Sequence, residues 1–97
     1  MILESEEHLA RRGGKALAEF CGGAYLCESS HMSQNNEQQM SNVMQTALKR
    51  SGLSKDKIEY VNAHATGTLQ GDAAEAAAIG ALFGSQVPVS SLKGHMG

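Results

Sequence analysis

Between Glu37 and Arg50 the apolar residues Met40, Val43, Met44, Ala47 and Leu48 fall at i, i+3, i+4, i+7 and i+8, with Gln, Asn and Lys opposite them. That is the period of one buried helix face, and it predicts an amphipathic helix over 37–50. Lys49 and Arg50 sit where the helix dipole favours cations, and Gly52 supplies the stop. A shorter helix is expected after Ser5, whose hydroxyl suits a cap for a first turn carrying Glu6 and Glu7. Arg11 and Arg12 close that helix and Gly13–Gly14 end it, with Glu7 and Arg11 at the i,i+4 spacing of a modest surface pair.

Other stretches read as strands. Met1–Glu4 has the character of a strand end, and Ala16–Glu28 that of a long strand, with Leu17, Phe20, Cys21, Tyr25, Leu26 and Cys27 and no helical caps. Gly22–Gly23 within it predicts a bulge or a close backbone approach. Ser29–Asn36 is polar and reads as a loop with room for a functional role. Ile58–Ala63 alternates, placing Ile58, Tyr60 and Asn62 on one face and Glu59, Val61 and Ala63 on the other. After a loop over His64–Gly71, an alanine-rich helix is expected over Asp72–Phe83, with Asp72 as N-cap, Glu75 completing a capping box and Gly84 as the stop. So many alanines leave little side-chain bulk, which lets a helix pack close to its neighbour. Val87–Ser90 is a short last strand, held by Pro88 to an edge or a strand start. This order predicts the α/β class.

Composition narrows the picture. The chain has 97 residues, room for one small domain or a piece of a larger one. Its hydrophobic share is 41%, much of it alanine, and two Tyr, two Phe and no Trp are few anchors for a self-sufficient core. Eight basic residues against ten acidic give a net charge of −2, which offers no footprint for nucleic acid or an anionic membrane. Without a long apolar run or a charged-then-apolar leader, neither a membrane span nor a signal peptide is expected. Two cysteines make no disulfide framework, so a reducing, cytoplasmic compartment is expected.

The densest candidate chemistry is His64-Ala-Thr-Gly-Thr-Leu-Gln-Gly-Asp72, with Glu75 one helical turn further on. A histidine leaving a strand into a Gly/Thr loop before a helix lies where open α/β sheets place their ligands. Thr66 and Thr68 offer hydroxyls, and Gly67 and Gly71 permit close backbone approach. An equally open reading is a plain strand-to-helix turn in which Asp72 caps the helix and the threonines satisfy loop amides. Lys93 is the second candidate, either pairing with a carboxylate such as Glu75 or simply solvated. Zinc is set aside: Cys21 and Cys27 lack ligand spacing, and His8, His31, His64 and His95 form no ligand pair. Neither cysteine opens a helix or sits beside a base, so both are expected to be buried strand residues rather than nucleophiles. The glycine-containing loop lacks the G-K-[ST] ending of a phosphate loop. Met40 and Met44 belong to a core face, and His8 and His31 to the surface.

Tyr60-Val-Asn-Ala-His-Ala-Thr-Gly-Thr-Leu-Gln-Gly-Asp-Ala-Ala-Glu75, followed by Val89-Ser-Ser-Leu-Lys-Gly-His-Met-Gly97, strongly resembles the β-ketoacyl-acyl carrier protein synthases of the thiolase-like superfamily. The resemblance runs over residues 1–97 and implies part of the C-terminal half of a layered αβαβα architecture, the N-terminal half with its nucleophilic cysteine being absent. It implies that His64 matches the first catalytic histidine, which stabilises the thioester oxygen as a malonyl group loses CO₂ and becomes an enolate. Thr66 and Thr68 match the threonines that hydrogen-bond the phosphopantetheine arm. Lys93 matches the site lysine, and Glu75 the glutamate that pairs with it and orients the histidines. No metal or redox cofactor is implied, since the pantetheine arrives on the acyl carrier protein. A homodimer is the family expectation.

The departures are as informative. The family's second histidine falls five residues after the lysine, at position 98, so His95 is an additional histidine and not that one. Cys21 and Cys27 do not replace the nucleophile. Ala65 stands where the family has glycine, a methyl expected to tilt the loop. The expectation is therefore a condensing-enzyme fragment that alone is inactive and folds poorly. A non-catalytic chain-length-factor-like subunit and an unrelated small α/β binding module are the alternatives.

Overall fold

A computed structural model describes residues 2–27 and 37–96. Ser5 caps α1 (Glu6–Arg11) as expected, its hydroxyl accepting the His8 N–H at 3.2 Å, and Gly13 follows with φ +65°. The surface pair differs from the expected Glu7–Arg11. Arg12 donates through Nε to Glu4 Oε2 at 2.9 Å and pairs through Nη2 with Glu4 Oε1, while His8 Nε2 lies 3.9 Å from the same carboxylate. Glu4 thus brackets the helix from outside instead of forming a strand end, and residues 2–4 carry no ladder bonds.

Residues 16–27 are also not a strand. A strand exists by hydrogen bonds to a neighbour, and no partner strand stands beside this segment among the described residues. Leu17, Phe20, Tyr25 and Leu26 are accordingly exposed, and so are both cysteines, against the expectation that these are buried. The glycine signal within the segment was accurate. A Cβ at residue 22 would lie 3.2 Å from the Ser51 N and 3.3 Å from the Arg50 carbonyl carbon, so the chain passes directly against the end of the next helix. Arg50 Nη1 reinforces the contact by donating to the Gly23 carbonyl at 3.3 Å. The loop proposed for Ser29–Asn36, His31 included, lies outside the described residues.

Helix α2 (Glu37–Ser51) follows the apolar period read from the sequence, and Gly52 leaves it at φ +69°. A single 3-10 turn, Lys55–Lys57, leads to β1 (Val61–Asn62), then α3 (Leu69–Phe83), β2 (Val89–Ser90) and α4 (Lys93–Met96). The two strands are parallel, with Val61 opposite Val89 and Asn62 opposite Ser90. Both are shorter than their apolar runs, because only Val61 N to Pro88 O (3.0 Å) and Ala63 N to Ser90 O (2.8 Å) flank the ladder. Tyr60 extends it through a hydroxyl hydrogen bond to Ser90 Oγ.

The order β1–α3–β2 is one crossover unit of an α/β sheet. Helix α3 packs against α2, and its alanines allow the approach. Among the described residues only Ala78 (0% exposed) and Ile79 (4%) are buried, both on α3.

Candidate active site

Parallel register decides what meets what. Because Asn62 lies opposite Ser90, β1 and β2 end side by side, and the two segments leaving them are those that begin with His64 and with Lys93. The two motifs, nearly 30 residues apart in sequence, therefore open at the same carboxyl edge, where α/β sheets bind ligands. Behind that edge is a recess of about 270 Å³ lined by Ala63, Ala65, Glu75, Val89 and Ser91 among others.

The loop after β1 is built around one carboxylate. Glu75 Oε1 accepts the His64 N–H at 2.8 Å and Oε2 accepts the Ala65 N–H, also at 2.8 Å. The half-buried Glu75 thus satisfies two amides that the ladder no longer pairs, and the His64 side chain is left at the exposed edge. Ala65 has φ +36°, the left-handed region in which a Cβ is costly. Gly67, at φ +82°, turns the chain so that the Thr66 and Thr68 hydroxyls come within 3.2 Å of each other. Each hydroxyl retains hydrogen-bonding capacity beyond that contact, and both threonines are exposed.

Three details correct the expected layout. Helix α3 begins at Leu69 with Thr68 as its N-cap residue, so Asp72 lies inside the first turn and caps nothing. Glu75 is consequently not the far half of a capping box; its carboxylate reaches back across the loop. The expected Glu75–Lys93 ion pair is not formed among the described residues, since Lys93 starts the exposed α4 and its backbone N–H bonds to Ser91 Oγ at 3.3 Å. Each Glu75 oxygen accepts one backbone amide instead. His95 is exposed on α4. Among the described residues no three of His, Cys, Asp and Glu come together as metal ligands. Sequence reasoning missed the Tyr60–Ser90 contact, which depends on strand register, and the local Ser91–Lys93 bond; a Glu one turn into the helix after a strand-to-helix loop was the available signal for the amide clamp.

Known proteins share this sequence and this fold. The family described as beta-ketoacyl synthase, C-terminal domain, matches residues 17–97. The chain belongs to the beta-ketoacyl synthase family. It is 42% identical, over its whole length, to a mitochondrial 3-oxoacyl-(acyl-carrier-protein) synthase of Arabidopsis thaliana, and covers 23% of that protein. A crystal structure of a beta-ketoacyl synthase from Burkholderia phymatum superposes on 93% of the chain with TM-score 0.88 and 41% identity, the chain covering 22% of it. A type II polyketide ketosynthase, solved in complex with its acyl carrier protein, superposes with TM-score 0.85 and 33% identity over 93% of this chain and 23% of its own. The beta-ketoacyl synthase segment described here therefore matches part of the thiolase-like fold of these enzymes and spans less than a quarter of the relatives' length. No described helix of it is long and apolar enough to cross a membrane.

Proposed function

We propose that this segment supplies half of the active site of a decarboxylative acyltransferase. In the complete enzyme an acyl group is held as a thioester on a cysteine from the other half of the fold. Malonyl-carrier protein loses CO₂, the resulting enolate carbon attacks the acyl carbonyl, the cysteine thiolate departs, and β-ketoacyl-carrier protein is released. His64 is the donor to the malonyl thioester oxygen, where negative charge develops as the C–C bond breaks. Thr66 and Thr68 hydrogen-bond the pantetheine arm, and Lys93 sets the positive field on the far side of the same edge. The observation carrying this reading is the parallel register that opens the His64 and Lys93 segments side by side.

The reaction requires no resident metal or redox cofactor, because decarboxylation supplies the carbanion. Its partner is an acyl carrier protein, supported by the ketosynthase relative solved with its own carrier, and a homodimer is expected of the complete chain. The free, exposed Cys21 and Cys27 suit a reducing compartment such as the cytoplasm. The segment alone holds an incomplete site. The test is a condensation assay on the complete chain with an acyl primer and malonyl-carrier protein, read by mass spectrometry of the carrier. The wild type should form β-ketoacyl-carrier protein, and H64A should lower its rate at least ~100-fold, the loss typical of removing a donor to a developing oxyanion. Undiminished product with H64A would overturn the assignment.

A further inference from the structure

The proposed site depends on a strand register that the backbone ladder alone holds weakly. Strands β1 and β2 are two residues long each, flanked by the Val61 N to Pro88 O and Ala63 N to Ser90 O bonds. Pro88 turns its carbonyl to β1 but has no N–H to add, so the ladder cannot lengthen on that side. Burial pins a register where one face of a strand is covered. Here Asn62, Val89 and Ser90 are exposed and Val61 is only half-buried. A slip of one residue would displace the Lys93 segment against His64 by about 3.3 Å, the rise of one strand residue. That exceeds the roughly 1 Å misplacement that already costs an active site about 100-fold.

One directional bond comes from the side chains. Asn62 faces Ser90 across the ladder, and Tyr60, two residues before Asn62, lies on the same side of the sheet. Tyr60 and Ser90 are therefore diagonal neighbours, a separation that an aromatic side chain spans, and their hydroxyls are hydrogen-bonded. Moving β2 by one residue turns Ser90 to the other face. In one direction Val89, which has no hydroxyl, takes its place. In the other it is Ser91, whose Oγ accepts the Lys93 N–H at 3.3 Å and would have to leave that amide. Of the three registers, the observed one alone gives Tyr60 a hydroxyl partner and leaves Ser91 to α4.

We infer that Tyr60 and Ser90 are positioning residues whose hydroxyl hydrogen bond locks the β1–β2 register and so sets the His64 segment against the Lys93 segment. Y60F removes only the phenolic oxygen and S90A only the serine hydroxyl, so each breaks the bond and keeps the strand. Both, with S90T and Y60F/S90A, would be made in the complete synthase chain. Amide exchange at Val61 and Ala63, which donate into β2, would be measured beside kcat and KM in condensation. The turnover arm rests on the function proposed above; the exchange arm does not.

Exchange at both amides should accelerate at least about threefold in Y60F and in S90A, the scale of one lost hydrogen bond, with Ile79 in α3 unaffected. Turnover should fall roughly three- to tenfold, a partial misplacement of the reacting groups, with KM for malonyl-carrier protein little changed. The double variant should be no worse than either single one, as expected of two residues that share one interaction, and S90T should recover most of the loss seen in S90A. If Y60F does not fold, S90A and S90T carry the same comparison. Wild-type exchange at Val61 and Ala63 in both single variants would overturn the lock. Wild-type kcat beside faster exchange would overturn the positioning role, and effects that multiply in Y60F/S90A would overturn the pairing. A wild type without condensation activity would refute the functional reading instead, and the exchange arm would then decide the lock.

Discussion

At the scale of single residues, side-chain oxygens accept from donors near them in the fold. Glu75 satisfies the amides of the site loop, Ser91 the first amide of α4, and Glu4 the guanidinium of Arg12. The last pair has a pH signature. The hydrogen bond from Arg12, joined by its positive charge, holds the Glu4 carboxyl below the ordinary glutamate value and raises the Arg12 guanidinium in turn. A carboxyl depressed in the folded state contributes fully above its unfolded pKa and loses that contribution as pH falls through the folded one. The Arg12 Nε–H resonance should therefore stay constant from neutral pH down to the ordinary glutamate range and move upfield below it. In E4Q that step should be missing; an unaltered titration of Arg12 in E4Q would refute the pairing. Asp56 behaves alike for a local reason, its carboxyl lowered first by the Ser54 hydroxyl and then by its own backbone N–H.

At the scale of elements, what could be read from the sequence follows what is local. The α2 period, the Ser5 cap, the Gly52 stop and the β1–α3–β2 order all depend on residues a few positions apart, and the structure reproduces them. The strands at 2–4 and 16–27 failed because a strand needs a partner, and pairing is not encoded in the strand's own apolar run. The same limit hid the start of α3. Asp72 and Glu75 have capping-box spacing, but the two unpaired amides of the preceding loop compete for the Glu75 carboxylate and win. His64, Thr66, Thr68, Glu75 and Lys93 were legible as a group, because their motif is contiguous apart from Lys93. Their mutual geometry was not, since it depends on register. The Gly22 approach to α2 is a tight element-level contact, and it carries a prediction. G22A would press a methyl onto the backbone of Arg50 and Ser51, which cannot rotate away as a side chain would. Overpacking of this kind costs about 1–3 kcal/mol. Amide exchange at Ser51 should accelerate in G22A while that of Ile79 in α3 stays slow; equal exchange at Ser51 in both chains would show that the approach is not tight.

At the scale of the whole molecule, area is the decisive quantity. A compact 10.2 kDa chain exposes about 5,300 Å² by the scaling of folded monomers. This chain exposes 7926 Å², with Phe20 at 66% and Tyr25 at 87% among the large apolar side chains left in solvent. The excess is several times the roughly 800 Å² that one partner contributes to a standard protein interface. The two residues buried among those described, both on α3, are too small a core to stabilise that surface by burial. An edge carrying His64 and Lys93, beside so much uncovered apolar surface, is the form expected of one part of a larger synthase fold. The relatives that match it are more than four times its length. The most direct check is to read the coding sequence past both ends of these residues. A histidine is expected at position 98, five residues after Lys93, and an upstream cysteine at the head of a helix in the same reading frame. A stop codon directly after Gly97, or another residue at the cysteine position, would contradict it, leaving His64 and Lys93 as the geometry of a condensing enzyme without its reaction.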